Sequence, residues 1–268
     1  MNAASRRYAA TRTWRPWGWA ILGAVTGALA VLLALAPARW LGATLARVSN
    51  GMVTLAETDG TLWSGTGVLA FSGGAGSRDR ARLPGRVRWR IRPALAGARA
   101  RIEADCCTLQ QPLALALQPT WRGARVTVAN SQTRWPATVL AGLGTPWNTI
   151  RPQGELALQT QDLALAVTPR GVRMAGRAEL VAQRMSSNLA TVRPLGSYQL
   201  VLTGGETLAF SLSTLEGSLL LSGSGSVVAG NLRFRGEAEA AAGMQAQLAN
   251  LLNLLGRRQG DRAIISFG

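Results

Sequence analysis

The sequence predicts an all-β fold: one N-terminal transmembrane helix, then a curled antiparallel β-sheet domain, or alternatively a β-sandwich, with two short helices. Two observations predict this class. Beyond Pro37, apolar and polar residues alternate in short runs, which is the period of a half-buried strand. Gly, Pro, Asn and Asp recur between the runs and mark turns, so neighbouring strands are expected to be antiparallel.

The first element is an apolar run over residues 17–36, WGWAILGAVTGALAVLLALA, which contains no charged residue. A helix of this length crosses a hydrocarbon core of roughly 30 Å. Basic residues favour the cytoplasmic side, and more of them precede the run than follow it closely. We therefore expect residues 1–16 to form a cytoplasmic basic tail and residues 37–268 to form a periplasmic domain. The flanking arginines are Arg6, Arg7, Arg12 and Arg15 before the run and Arg39 and Arg47 after it.

A cleaved signal peptide is the alternative, because Ala34, Leu35 and Ala36 offer a small-residue cleavage site. The run is longer than the roughly 7–15 apolar residues of a signal peptide, which favours an uncleaved, single-pass membrane anchor. Either outcome exports the rest of the chain.

Seven runs in the exported part have the alternating pattern of strands. They cover residues 113–118, 124–130, 153–160, 162–169, 198–205, 207–214 and 217–225. Two other segments are typical of helices. Residues 135–144 begin beside Pro136 and end at Gly144. Residues 242–258 carry an apolar stripe that we expect to pack on the core. The stripe consists of Met244, Leu248, Leu251, Leu252 and Leu255.

The formal net charge is +16, and every basic residue is arginine, because the chain contains neither Lys nor His. A strongly basic chain suggests nucleic acid as a partner. The expected export of the domain and the absence of a recognisable nucleic-acid-binding module argue against that partner.

Residues 86–93, RVRWRIRP, form a predicted strand with one apolar and one basic face. The basic face carries Arg86, Arg88, Arg90 and Arg92. Three interpretations remain open for it. It is a solvated surface whose arginines meet nearby carboxylates such as Glu103, a docking surface for an acidic partner subunit, or a contact with anionic lipid head groups.

The residues that catalysis requires are absent or scattered. Without His there is no imidazole base and no zinc site of the usual Cys/His kind. Glu57 with Asp59, and Glu103 with Asp105, share a strand face, but pairing with nearby arginines explains them better than acid–base catalysis or cation binding. We therefore expect no enzymatic activity, no cofactor and no metal site.

Cys106 and Cys107 are adjacent, so on a strand their side chains point to opposite faces. A bridge between neighbours is strained, and we expect two half-buried, unbridged side chains. Intermolecular pairing in an oxidising periplasm is the alternative.

Several segments, in this order, resemble the type II secretion system protein N family, also called general secretion pathway protein N. They are GTLWSGTG (60–67), VRWRIRPAL (87–95), LGSYQLVL (195–202), TLEGSLLLSGSG (214–225), LRFRGEAEA (232–240) and LLNLLG (251–256). We expect the most specific of these residues to have structural roles, with Trp63 packed under the Ser64-Gly65 turn and Trp89 in the sheet core. These residues are Gly60, Leu62, Trp63, Ser64, Gly65, Trp89 and Pro93.

The resemblance implies an accessory, inner-membrane-anchored subunit of the machinery that exports folded proteins across the outer membrane of Gram-negative bacteria. Other secretion subunits are then its partners, and the family has no assigned catalytic residues to carry over. The alternative function is a periplasmic lipid or hydrophobic-ligand carrier whose concave apolar face holds acyl chains. The two functions differ in whether the protein's own side chains fill that face.

Overall fold

The computed structural model describes residues 17–107, 111–169, 171–228 and 231–268. The chain divides into two compact units between Ala36 and Pro37. The first contains helix α1 (Trp17–Ala34), which is long and apolar enough to cross a membrane and agrees with the predicted span. The four arginines of the predicted cytoplasmic tail lie outside the described residues.

The second unit is built on one antiparallel sheet of sixteen strands, which does not close on itself. The all-β class is therefore confirmed. The strands are β1 (Val53–Gly60), β2 (Ser64–Ser72), β3 (Arg80–Arg82), β4 (Val87–Ala94), β5 (Gly97–Ala104), β6 (Leu113–Thr120), β7 (Gly123–Val128), β8 (Ser131–Pro136), β9 (Gln153–Thr168), β10 (Gly171–Ser186), β11 (Gly196–Thr203), β12 (Leu208–Gly217), β13 (Leu219–Val228), β14 (Asn231–Ala240), β15 (Arg257–Gln259) and β16 (Arg262–Phe267).

Most strands pair with the strand that follows them in the chain. The main path runs β1-β2-β4-β5-β6-β7-β9-β10-β11-β12-β13-β14-β16-β15, while β3 pairs with β2 and β8 pairs with β9. Four short helical segments accompany the sheet. They are α2 (Arg39–Val48), a 3₁₀ helix (Ala137–Leu143), α3 (Trp147–Ile150) and α4 (Gln245–Leu255).

All seven predicted strand segments form strands, but two of them belong to one strand. Residues 153–160 and 162–169 are continuous in β9. Asp162 lies in the left-handed region at φ +48°, where the register of β9 against β10 shifts. Such a bulge inserts a residue without ending the strand, so it interrupts the alternation in the sequence while the sheet continues.

One face of the sheet is apolar across the successive strands. Directly paired residues of antiparallel strands lie on the same face. Leu158 pairs with Leu180, Leu180 with Leu200, and Leu200 with Leu212, on strands β9 to β12. The adjacent positions on the opposite face are mostly polar and include Gln159, Glu179 and Ser211. We call these two surfaces the apolar face and the polar face.

Two clusters of fully buried residues lie against this sheet. In one, Leu248, Leu251 and Leu252 of α4 pack with Leu219 and Ala238 of the sheet, which confirms the predicted apolar stripe. The other cluster contains Leu83, Val87, Ala104, Cys107 and Val139. Val139 comes from the 3₁₀ helix, which begins at Ala137 because Pro136 still belongs to β8. Between the clusters, four leucines of β9 to β12 are only half-buried: Leu158, Leu180, Leu200 and Leu212.

The expectation of two unbridged cysteines is wrong, because Cys106 and Cys107 form a disulfide with each other. Strand β5 ends at Ala104, and the two cysteines lie in the turn that follows it. The argument that neighbours point to opposite faces applies to a strand and not to this turn. Cys107 is buried in the core cluster of Val139.

We predict that Leu252→Ala destabilises the domain by about 2–5 kcal/mol, because Leu252 is 0% exposed and its truncation leaves a cavity under α4. Leu254→Ala is the matched control, since Leu254 lies on the same helix and is 52% exposed. The measurement is the unfolding of the full-length protein in detergent by chemical denaturation. Equal losses for both variants would contradict the packing of α4.

Candidate functional site

Strand β4 holds the arginine-rich segment between β2 and β5. Val87 and Trp89 are buried on the apolar face, and Arg88, Arg90 and Arg92 are exposed on the polar face, as the alternation predicts. Arg86 directly precedes the strand and is half-buried. The structure thus brings the predicted basic residues together along one strand.

The carboxylates beside Arg86 and Arg88 are already used as ion-pair partners. Arg86 Nη2 donates to Asp59 Oδ2 at 2.6 Å and to the Glu57 carbonyl at 2.9 Å. Arg88 Nη2 donates to Asp105 Oδ1 at 2.8 Å. The Asp105 carboxylate also accepts the backbone N–H of Arg86 at 3.1 Å. These two arginines therefore serve local structure, as the solvated interpretation predicts.

Glu103 completes this paired region and marks its limit. Its Oε2 lies 3.7 Å from Arg88 Nε. Beyond this point towards the end of β4, Arg90 and Arg92 form no ion pair or side-chain hydrogen bond with any residue that the structure describes. The four predicted arginines thus divide into a paired half and an unpaired half.

The register places further arginines opposite the unpaired half. Arg90 pairs with Arg101, and Arg92 pairs with Arg99, across the β4–β5 ladder. All four side chains are exposed, and within the described residues Arg99 and Arg101 also have no acidic partner. We call Arg90, Arg92, Arg99 and Arg101 the arginine quartet.

The quartet concentrates positive charge at a cost to the fold. Like charges directly opposite on neighbouring strands are destabilising, and only solvent screening reduces this cost. An arrangement of guanidinium groups without carboxylates suits an anionic ligand, because each planar guanidinium group can donate two parallel hydrogen bonds to a carboxylate or phosphate.

The turn between β1 and β2 contains most of the seven residues that carry the resemblance to the protein N family most specifically. Gly60 is in the left-handed region at φ +92°, Leu62 is half-buried, and Ser64 is exposed, with its carbonyl accepting the Thr61 N–H at 2.9 Å. Pro93 lies near the far end of β4, opposite Ala98. The motif therefore spans one corner of the sheet.

Trp89 anchors this corner. It is 5% exposed, and its Nε1–H donates to the Leu62 carbonyl at 3.1 Å. A Cβ added to Gly65 would lie 2.5 Å from the Trp89 ring, so the glycine allows the indole to lie against the turn. Trp63 is half-buried, and two of the three atoms nearest to such a Cβ belong to the Trp89 ring.

The buried Tyr198 side chain has a structural partner. Burial raises the pKa of the Tyr198 phenol, which donates to the Leu219 carbonyl at 3.1 Å. Two clefts, lined in part by Glu179 and by Glu237, have volumes of about 130 and 280 Å³. Both are smaller than a typical small-molecule site of roughly 300–1,000 Å³. Among the residues that the structure describes, no group of three or more His, Cys, Asp and Glu could hold a metal ion.

We predict that Arg86→Gln lowers the free energy of unfolding by about 1 kcal/mol, because it removes the ion pair with Asp59. Arg90→Gln is the matched control, and we expect it to leave stability unchanged or to raise it slightly, because it removes a like-charge pair with Arg101. Thermal unfolding at low and high salt measures both effects. A larger loss for Arg90→Gln would show that the quartet has a stabilising partner.

The comparisons with known proteins agree with the resemblance of the sequence. The family model described as "Type II secretion system (T2SS), protein N" matches residues 51–265. Searches of curated proteins and of solved structures found no match. The matched region runs from just before β1 into β16 and includes the Gly60–Gly65 turn, β4 and α4. Because the match covers most of the chain, this protein belongs to the type II secretion system protein N family.

Proposed function

We propose that this protein is an accessory subunit of the type II secretion machinery that is anchored in the inner membrane and acts in the periplasm by protein–protein contact rather than catalysis. Its family membership supports the secretion role, and α1 supports the anchor. In this proposal the N-terminus is cytoplasmic, residues 37–268 are periplasmic, and the contact supports the export of folded proteins across the outer membrane.

The open C-terminal edge of the sheet supports a role in assembly. Strand β16 pairs with β14 through residues 262–267, but on its other side β15 pairs only with residues 262–264. An unpaired strand edge presents N–H and C=O groups that a strand of another chain can bind. Arg257 and Arg258 of β15 are exposed, so an acidic partner segment fits this edge best.

The opposite edge is less available, and this contrast favours the C-terminal edge as the proposed contact. At β1, the Ser49 hydroxyl accepts the Val53 N–H at 3.0 Å and donates to the Val53 carbonyl at 3.0 Å. Helix α2 also lies close to β1, since a Cβ added to Gly42 would lie 3.1 Å from the Leu55 carbonyl. Covering an edge in this way prevents strand addition.

We predict that a photo-crosslinking residue at Ser266, which is exposed on β16, crosslinks the full-length protein to another secretion subunit in its native membrane. The control position is Ser211, which is exposed on the polar face in the middle of β12. Mass spectrometry identifies the crosslinked proteins. Absence of secretion subunits at Ser266, or equal yields at the two positions, would count against this contact.

A lipid or hydrophobic-ligand carrier is the second candidate, and the half-buried apolar face supports it. Leu158, Leu180, Leu200 and Leu212 lie side by side between the two core clusters without being fully covered. Acyl chains are ligands of suitable chemistry for such a surface. Stoichiometric phospholipid in the purified protein, together with no crosslink to secretion subunits, would favour this second function.

A further inference from the structure

The arginine quartet lies beside two hairpin tips that present fully exposed apolar side chains. Leu95 is at the tip between β4 and β5, and Trp121 is at the tip between β6 and β7, with relative exposures of 112% and 104%. The two hairpins are neighbours because β5 pairs with β6. Single exposed apolar residues are common, but a fully exposed tryptophan contributes nothing to the packing of this domain.

The two tips repeat one sequence pattern. Residues 93–99 are PALAGAR and residues 119–125 are PTWRGAR, so both read Pro, any residue, a large apolar residue, any residue, Gly, Ala, Arg. The glycines are needed for the fold, because Gly97 and Gly123 have positive φ and a Cβ on either would overlap a carbonyl of the next strand. The fold does not require a large apolar side chain at position 95 or 121, yet both hairpin tips carry one, Leu95 and Trp121.

The arginines of the pattern extend the charge of the quartet along the same end of the sheet. Arg99 and Arg125 both lie on the polar face, since Arg99 pairs with Ala116 and Arg125 with Gln118 on β6. Arg173 of β10 follows on the same face, because Ala166 pairs with both Arg125 and Arg173. None of these arginines has an acidic partner among the described residues.

The sequence around these tips contains no compensating negative charge. There is no Asp or Glu between Asp105 and Glu155. We define the hairpin rim as the arginine quartet, Leu95, Trp121, Arg122, Arg125 and Arg173. The rim therefore combines guanidinium groups that have no acidic partner in the described part of the chain with isolated, exposed apolar side chains.

We propose that the hairpin rim docks on an anionic lipid bilayer. Trp and Leu at the tips enter the interfacial region, where an indole is favoured, and the arginines behind them bind lipid phosphates. A protein partner explains the rim less well, because the apolar side chains stand singly on two tips and form no continuous patch. This inference does not depend on the secretion role, since it concerns the protein alone with lipid.

The test is hydrogen–deuterium exchange of the full-length protein in lipid nanodiscs. One set of nanodiscs contains phosphatidylcholine only, and the other contains phosphatidylcholine with phosphatidylglycerol. We expect amide exchange in residues 93–99 and 119–125 to slow several-fold in the anionic nanodiscs relative to the neutral ones. Exchange in β13 and β14, far along the sheet, should be the same in both and serves as the measure of correct folding.

Two variants test which residues of the hairpin rim cause the slower exchange. Replacing the four arginines of the quartet by Gln should abolish the protection, and Leu95→Ser with Trp121→Ser should reduce it. The control replaces Arg233, Arg235, Arg257 and Arg258 by Gln, which removes the same charge from exposed positions of β14 and β15. Equal exchange in both lipids, equal loss in the control, or the same protection from soluble glycerophosphoglycerol would overturn the proposal.

Discussion

The structure depends on one constraint: from strand to strand, the apolar side chains of the open sheet must stay on the same face. A slip of one residue would move every apolar side chain of a strand to the solvent. Local bulges prevent this at three places, where Glu57, Asp162 and Arg184 adopt φ values of +50°, +48° and +46° beside register shifts. Because the apolar side chains stay on the same face, α4 and the 3₁₀ helix find an apolar face to pack on.

The same alternation decides where the charges lie. Polar and basic residues of β4, β5, β7 and β10 share the polar face. In the arginine-rich segment, Asp59 pairs with Arg86 and Asp105 pairs with Arg88, at the beginning of β4. The arginines of the hairpin rim form no ion pair with any residue that the structure describes. Two surfaces at different places on the sheet, the open C-terminal edge and the hairpin rim, are thus left for contacts. In the two proposals made above, the open C-terminal edge contacts a protein partner and the hairpin rim contacts lipid.

Local patterns predicted much of this fold, and long-range pairing decided the rest. Strand β4, the six strands formed by the seven alternating segments, and the stripe of α4 follow from spacing within one segment. Strand β10 was missed because Gly176 and several arginines interrupt its alternation, and the disulfide was missed because a turn replaced the assumed strand at Cys106. The quartet could not be found from residues 86–93 alone, since Arg99 and Arg101 join it only through the register of β4 with β5.

The central claim is that one face of the sheet is apolar although its middle is only half-buried, and adjacent positions of β10 test it most directly. Leu180 faces Leu158 and Leu200, whereas Val181 faces Ala157 and Gln199. The measurement is the free energy of unfolding of Leu180→Gln and Val181→Gln. We expect a loss of more than about 2 kcal/mol for the first and less than about 1 kcal/mol for the second. Equal losses would contradict the assignment of the two faces.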